Sequence, residues 1–294
     1  MGSSWRCSHL RQRVLCLVVF LFTIHLSPAW ADDLEKQLKS DYQGKILTLR
    51  HFYTGTKLRF RADGSLQGDA RVGPWTVDGR VLVTDIRVRN SRLNITGRRL
   101  YLFYDAQTKE FRDSLAAIEA QHNATSGDVE KVLQKQIVQI EIELPSTDPG
   151  SAKTSATMKT IFLASGESMV AVVSPAWRTY FEKQEGRPSS IPDRLDGVYT
   201  AKSGSEASPP RLTHSPEPEY SEAARQTRAE GIVLLNLIVE ADGSARDIQI
   251  VTPLGLGLDE EAVVAVSKWK FAPAQKESVP VPVSVNVEVN FHLR

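Results

Sequence analysis

The chain has 294 residues, 41% hydrophobic and 24% charged, with a formal net charge of +1. That apolar share supports packed cores and excludes wholesale disorder. Beyond the N-terminal region no apolar run reaches about 18 residues, which excludes a polytopic helical membrane protein, and the near-neutral balance argues against a dedicated nucleic-acid binder.

The N-terminus reads as an address. Arg6, Arg11 and Arg13 precede an apolar run from Val14 to Ile24, interrupted only by Thr23. Ala29-Trp30-Ala31 then meets Asp32-Asp33. A basic region, a short apolar run and an Ala-x-Ala site make up a secretory signal. The run is shorter than the roughly 20 residues a membrane span needs. Residues 1–31 are therefore read as a signal peptide cleaved after Ala31. The competing reading is an uncleaved anchor, since residues 14–31 carry no formal charge. Cleavage leaves 33 Lys and Arg against 35 Asp and Glu and removes both cysteines, Cys7 and Cys16. The mature chain then has no disulfide, no catalytic thiol and no thiolate metal site. The sequons at Asn94 and Asn123 are common enough by chance to carry nothing.

Residues 32–182 read as a β-rich domain. A short helix over 32–43 comes first, with Leu34 and Leu38 spaced for one face. Leu58, Phe60 and Ala62 alternate with Lys57, Arg59 and Arg61, the pattern of a half-buried strand. Asp63-Gly64 and Asp78-Gly79 sit between apolar runs as hairpin turns do. Arg80–Arg89 and Arg99–Tyr104 supply further strands. Thr125 to Asp128 resembles a capping box that opens a helix to about Lys135. Val138–Leu144 alternates again, and Lys153–Leu163 and Ser174–Phe181 are read as helices. Between Gly44 and Asp113 there are 14 Lys and Arg against 7 Asp and Glu. An anionic envelope surface would suit that excess, but without interleaved aromatics it reads more simply as the solvent faces of strands.

The texture then changes. Glu185 to Pro192 is polar and Pro-rich, and Ala201–Ser208 has no large apolar residue, so 183–208 is read as a linker. In 209–294, Ser221 caps a short helix to Arg228. Ile232–Glu240 is an apolar strand, Asp242-Gly243 a turn, and Arg246–Thr252 a second strand. Leu258 to about Trp269 is a helix with Asp259, Glu260 and Glu261 at its N-terminus. The last segment alternates without a break: Val279, Val281, Val283, Val285, Val287, Val289, Phe291 and Leu293 are apolar and the residues between them are not. It reads as one long strand with a buried and a wet face, its proline-bearing start lying at a sheet edge. The fold class is α+β: the β-rich domain followed by a small antiparallel sheet with two helices.

Pro218-x-Tyr220, Ala224, Glu230-Gly231, Asp242-Gly243, Leu258-Asp259, Trp269-Lys270-Phe271-x-Pro273 and the alternating strand ending in Phe291 together resemble the TonB C-terminal domain. The likeness covers about residues 209–294. The family usually has proline after the tyrosine, where this chain has Ser221. The resemblance implies an energy transducer of the cell envelope. In that family an inner-membrane proton-driven complex energises the protein, and the C-terminal domain grips an N-terminal peptide of an outer-membrane TonB-dependent receptor by β-augmentation. It further implies a periplasmic location and a part in transmembrane transport without catalysis. Family correspondence puts Glu217 and Tyr220 near the receptor peptide. The strand over 279–294 is too long for the 246–252 strand to cover. Its free edge, through Ser284, Asn286, Glu288 and Asn290, is the candidate protein–protein interaction surface.

The residues themselves point to no enzyme. Gly166-Glu167-Ser168-Met169 lacks the second glycine of a nucleophile elbow. Gly255-Leu256-Gly257 lacks the third glycine of a dinucleotide motif and is explained as a strand stop. His51, His122, His214 and His292 have no partner at metal-ligand spacing. No cofactor, metal or nucleic acid is expected. The strand from Ile232 to Ile238 is apolar on both faces, which fits either a homodimer or a central strand under helices. The main alternative function is a periplasmic adaptor that keeps the module without transmitting force. Against transduction stand a cleavable N-terminus and a linker that, fully extended, spans at most about 90 Å.

Overall fold

A computed structural model describes residues 29–115, 126–145, 151–189, 197–200 and 207–293. The apolar leader run, both cysteines, His122, the Asn123 sequon and most of the linker lie outside the described residues. No helix among the described residues is long and apolar enough to cross a membrane.

Helix α1 (Ala29–Tyr42) buries Ala31, Leu34 and Leu38 against β4 (Arg80–Arg89). The proposed cleavage point at Ala31 thus falls inside its first turn. A six-stranded sheet follows in the order β1-β4-β5-β8-β2-β3. Its strands are β1 (Ile46–Thr48), β2 (Lys57–Phe60), β3 (Leu66–Gln67), β4, β5 (Arg92–Arg99) and β8 (Ile137–Glu143). The β4–β5 hairpin turns through Asn90 and Ser91, both at positive φ, the geometry that matches strand twist in a two-residue loop. In β8, Val138, Ile140 and Ile142 are fully buried, as alternation requires. The small ribbon β6 (Leu102–Asp105) with β7 (Glu110–Asp113) replaces the single strand expected over 99–104. Three helices complete the region: α3 (Ser126–Gln136), α4 (Ser151–Ile161) and α5 (Pro175–Gln184).

Asp63-Gly64 turns between β2 and β3 as expected, with Gly64 at φ +85° and the Asp63 carboxylate accepting from the Ser65 amide at 2.8 Å. Asp78-Gly79 is different. It ends a one-turn helix, α2 (Trp75–Asp78), and the Asp78 carboxylate is buried against Arg99 at 3.0 Å. A buried aspartate whose role is to hold a guanidinium belongs to packing, not to a hairpin turn.

The C-terminal module contains α6 (Glu222–Thr227) and α7 (Leu258–Val266) on a sheet of order β12-β11-β16-β9. The strands are β9 (Tyr199–Thr200), β11 (Gly231–Val239), β12 (Ala245–Thr252) and β16 (Val283–Phe291). The fold is α+β throughout, and in this module β11, β12 and β16 are antiparallel. Ser221 caps α6 as read, its hydroxyl accepting from the Ala224 amide at 3.0 Å.

Two expectations for the last strand are corrected. It is not continuous: β15 (Val279–Val281) folds back on β14 (Ala274–Lys276), and Pro282 separates it from β16. Proline lacks the N–H that would carry a ladder across the break. Nor is β12 its neighbour. β16 pairs with β11 over its whole length, from Gly231↔Phe291 to Val239↔Val283, and β12 lies on the other side of β11. The two-faced apolar strand is therefore a central one within this chain.

One continuous apolar core runs through both regions, from Ala31 to Phe291. Trp75, Phe111, Trp177, Tyr180 and Phe181 pack edge-on or tilted at 4.8–6.1 Å between ring centres and form its middle.

Candidate functional site

The candidate site is the outer side of β16. Backbone groups of successive residues in a strand point to alternate sides. The Tyr199 amide donates to the Pro282 carbonyl at 2.9 Å, so Pro282 faces away from β11. Ser284, Asn286, Glu288 and Asn290 share that parity, and their N–H and C=O groups face outward. The intervening valines aim theirs at β11. Strand β9 pairs in parallel with Val283 and Ser284 only. From Val285 to Phe291, roughly 20 Å of strand at about 3.3 Å per residue, no strand among the described residues flanks this side.

The side chains divide by face. Val289 and Phe291 are buried in the main core with Val233, Leu235 and Leu237, whereas Val283 is buried in a small separate cluster with Ala207 and Ala274. Asn286, Glu288 and Asn290 are exposed on the wet face. The Asn236 amide donates to Asn286 Oδ1 at 2.8 Å and to the Ser284 hydroxyl at 3.2 Å. These bonds order the first half of the strand and leave Glu288 and Asn290 uncommitted to the sheet. Glu230 closes the far end, where its carboxylate accepts from the Leu293 amide at 2.7 Å.

The structure brings Ser284, Asn286, Glu288 and Asn290 together on one edge. Tyr220 is placed differently. Its ring stands perpendicular to Phe291 at 5.4 Å, so it supports the end of β16 from the core side. Burial, with the Glu230 carboxylate nearby, pushes its phenol above its ordinary pKa. Glu217 is exposed on the approach to α6.

The opposite edge, β12, is covered. Helix α5 packs along it, with the Thr179 hydroxyl on Gln249 Oε1 at 3.0 Å and the Trp177 indole donating to Glu260 at 2.8 Å. A bulge near Asp247, at φ +49°, disturbs the β12 register. The loop Pro253–Gly257 completes the junction. Gly255 bridges Phe103, the Leu256 amide donates to the Leu102 carbonyl at 2.7 Å, and the Gly257 amide donates to the Thr76 hydroxyl at 3.0 Å. A Cβ on Gly255 would lie 2.3 Å from the Leu102 oxygen, and its φ is +90°. This glycine is a point of close backbone approach, where sequence reading saw only a strand stop. The hydroxyl of Ser221, at the family's usual proline position, donates to the Leu256 carbonyl. Asp259 accepts from the Leu254 and Gly255 amides at 2.7 and 2.8 Å and holds the same loop.

Acidic groups concentrate at this junction. Burial raises Glu260 to about 7, opposed by the Trp177 N–H, and raises Asp78 to about 6, opposed by Arg99. Asp259 is pushed up by burial and then by Glu260, against the pull of its two amides. No group of three or more His, Cys, Asp or Glu among the described residues is placed to hold a metal ion.

Residues 216–293 match the family model described as the Gram-negative bacterial TonB protein C-terminal. This module is a TonB C-terminal domain. Protein TonB2 of Pseudomonas aeruginosa is 40% identical to the chain over 81 residues, which is 27% of this chain and 30% of that protein. The chain therefore spans under a third of the length of this curated relative. The solution structure of the Pseudomonas aeruginosa TonB C-terminal domain is similar over 29% of this chain and 89% of its own, at 22% identity and a TM-score of 0.23. In the TonB domain of this chain, the open β16 edge and the covered β12 edge belong to one sheet.

Proposed function

We propose that this protein is an envelope energy-transducer component whose TonB domain captures a receptor's N-terminal peptide by strand addition to β16. The observation that carries the reading is the open side of Val285–Phe291, where outward amides and carbonyls have no strand partner among the described residues. Main-chain pairing would give affinity, and the wet face presented by Asn286, Glu288 and Asn290 would give selectivity. Glu217 would meet the peptide where it leaves the edge, and Tyr220 would act through Phe291. The role is non-catalytic, as in TonB-family transducers.

The test is titration of a labelled receptor N-terminal peptide by fluorescence anisotropy. Binding that saturates and falls at least about tenfold in a folded Asn286→Pro variant supports the reading. Undiminished binding in that variant excludes edge pairing.

A second reading is a periplasmic adaptor that keeps the TonB domain but transmits no force. It is favoured by the shared core, since the domain is packed on the preceding region and not held at the end of an extended spacer. N-terminal sequencing of the protein from envelope fractions separates the two. A start at Asp32 supports the adaptor, and a membrane-retained 14–31 segment supports the transducer and its coupling to an inner-membrane complex.

A further inference from the structure

A cleft of about 580 Å³ opens beside β1, away from the sheet of the TonB domain. That volume lies within the usual range for small-molecule sites, roughly 300–1,000 Å³. Its lining includes the apolar Leu47, Met158 and Phe162 and the cations Lys45, Arg80 and Lys159. The Arg50 guanidinium holds part of this lining by gripping both oxygens of Glu167, at 2.5 and 2.6 Å, while Glu167 also accepts from the Ala164 amide. This clamp satisfies Glu167 and fixes the 164–167 turn. Asp41, also in the lining, subtracts one charge from the three cations.

Arg80 is the distinctive group. It stacks on Trp75, with its guanidinium carbon 5.9 Å from the ring centre, and no carboxylate among the described residues lies within ion-pair distance. Two other sheltered guanidinia differ in kind: Arg98 pairs with Asp113, and Arg99 meets Asp78 and three backbone carbonyls. A guanidinium withdrawn from water with no anion costs free energy that an anion would recover. Burial also pulls the Arg80 pKa below its ordinary value with no anion to oppose it.

We propose that this cleft binds a small anionic amphiphile, its carboxylate on Arg80 with Lys45 and Lys159 nearby and its hydrocarbon body over Leu47, Met158 and Phe162. Arg suits such a head because its planar fork can donate two parallel hydrogen bonds. The site is independent of strand addition at β16.

Isothermal titration of the full chain with decanoate tests this, with decylammonium (same tail, opposite head) and inorganic phosphate (no tail) as comparators. Saturable decanoate binding is expected, at least about tenfold tighter than either comparator. Arg80→Gln should weaken decanoate about tenfold, and Arg112→Gln, at an exposed arginine paired with Asp105 outside the cleft lining, should leave it unchanged. Leu47→Trp, which enlarges an apolar residue of the lining and keeps every charge, should block binding even if Arg80→Gln fails to fold. Equal binding of decylammonium overturns the role of Arg80, equal binding of phosphate overturns the amphiphile, and no decanoate binding overturns the site.

Discussion

The two edges of the TonB-domain sheet are treated in opposite ways. Strand β12 carries a bulge and lies under α5, with Trp177 and Thr179 tied to Glu260 and Gln249. Strand β16 is paired on its inner side throughout without a register shift, and among the described residues it is covered outside only at Val283 and Ser284. Bulges and covering helices are how proteins protect sheet edges from unwanted pairing. Among the described residues only the β16 edge of this sheet lacks that protection, an asymmetry that the proposed strand addition would use.

The largest expected effect breaks the covered edge. Trp177 is 1% exposed at the centre of the aromatic cluster, and Trp177→Ala should cost about 3–5 kcal/mol in urea denaturation. Peptide affinity at β16 should survive in whatever fraction stays folded. Gly255→Val should follow. Its side chain meets the Leu102 carbonyl and the Phe103 backbone, and the positive φ adds about 1–2 kcal/mol of strain, so a loss of about 3 kcal/mol in the same assay is expected.

Asn286→Pro should do the reverse. The Asn286 amide points outward, so proline removes no bond of the β11 ladder and forfeits chiefly the Asn236 contact, about 1 kcal/mol. Peptide affinity should fall by tenfold or more while the unfolding midpoint barely moves.

Another effect is set by pH at the covered edge. The Glu260 carboxyl sits near 7 in the fold against an ordinary 4.5, and Asp78 sits near 6 against 3.8. A raised carboxyl binds more protons in the folded than in the unfolded state. Its stabilising effect is complete below the unfolded value and is lost as pH rises through the folded one. Stability should therefore fall from about pH 4 to about pH 7, by on the order of 2 kcal/mol. The surroundings of Glu260 include Glu261, Asp78, Asp259 and the Trp177 N–H, and Glu260→Gln should flatten much of the slope. Urea midpoints at pH 5 and pH 8 measure it.

The smallest expected effect lies at β9. Tyr199→Pro removes the amide that reaches Pro282. It should free the first two rungs of the edge and raise peptide affinity about two- to threefold.

Much of this was legible in local pattern. The alternating valines identified the buried face of the last strand, Ser221 announced a cap, and the acidic triplet at 259–261 marked a helix start. Asp78 was misread because it looks like a turn residue, and Gly255 was read only as the strand stop that it also is. One is in fact the partner of a buried arginine, and the other makes room for a backbone that is more than 150 residues away in sequence.

Sequence alone determined which faces are apolar, where helices begin, and that residues 216–293 form a TonB domain, because these depend on side-chain type at fixed local spacing. Tertiary structure decided, among the described residues, which edge is open, which is covered and which sheltered arginine has no carboxylate beside it. Those depend on the neighbour a strand or charge meets, and β16 meets β11 across some fifty residues of intervening chain. Local periodicity has no means of recording such a partner.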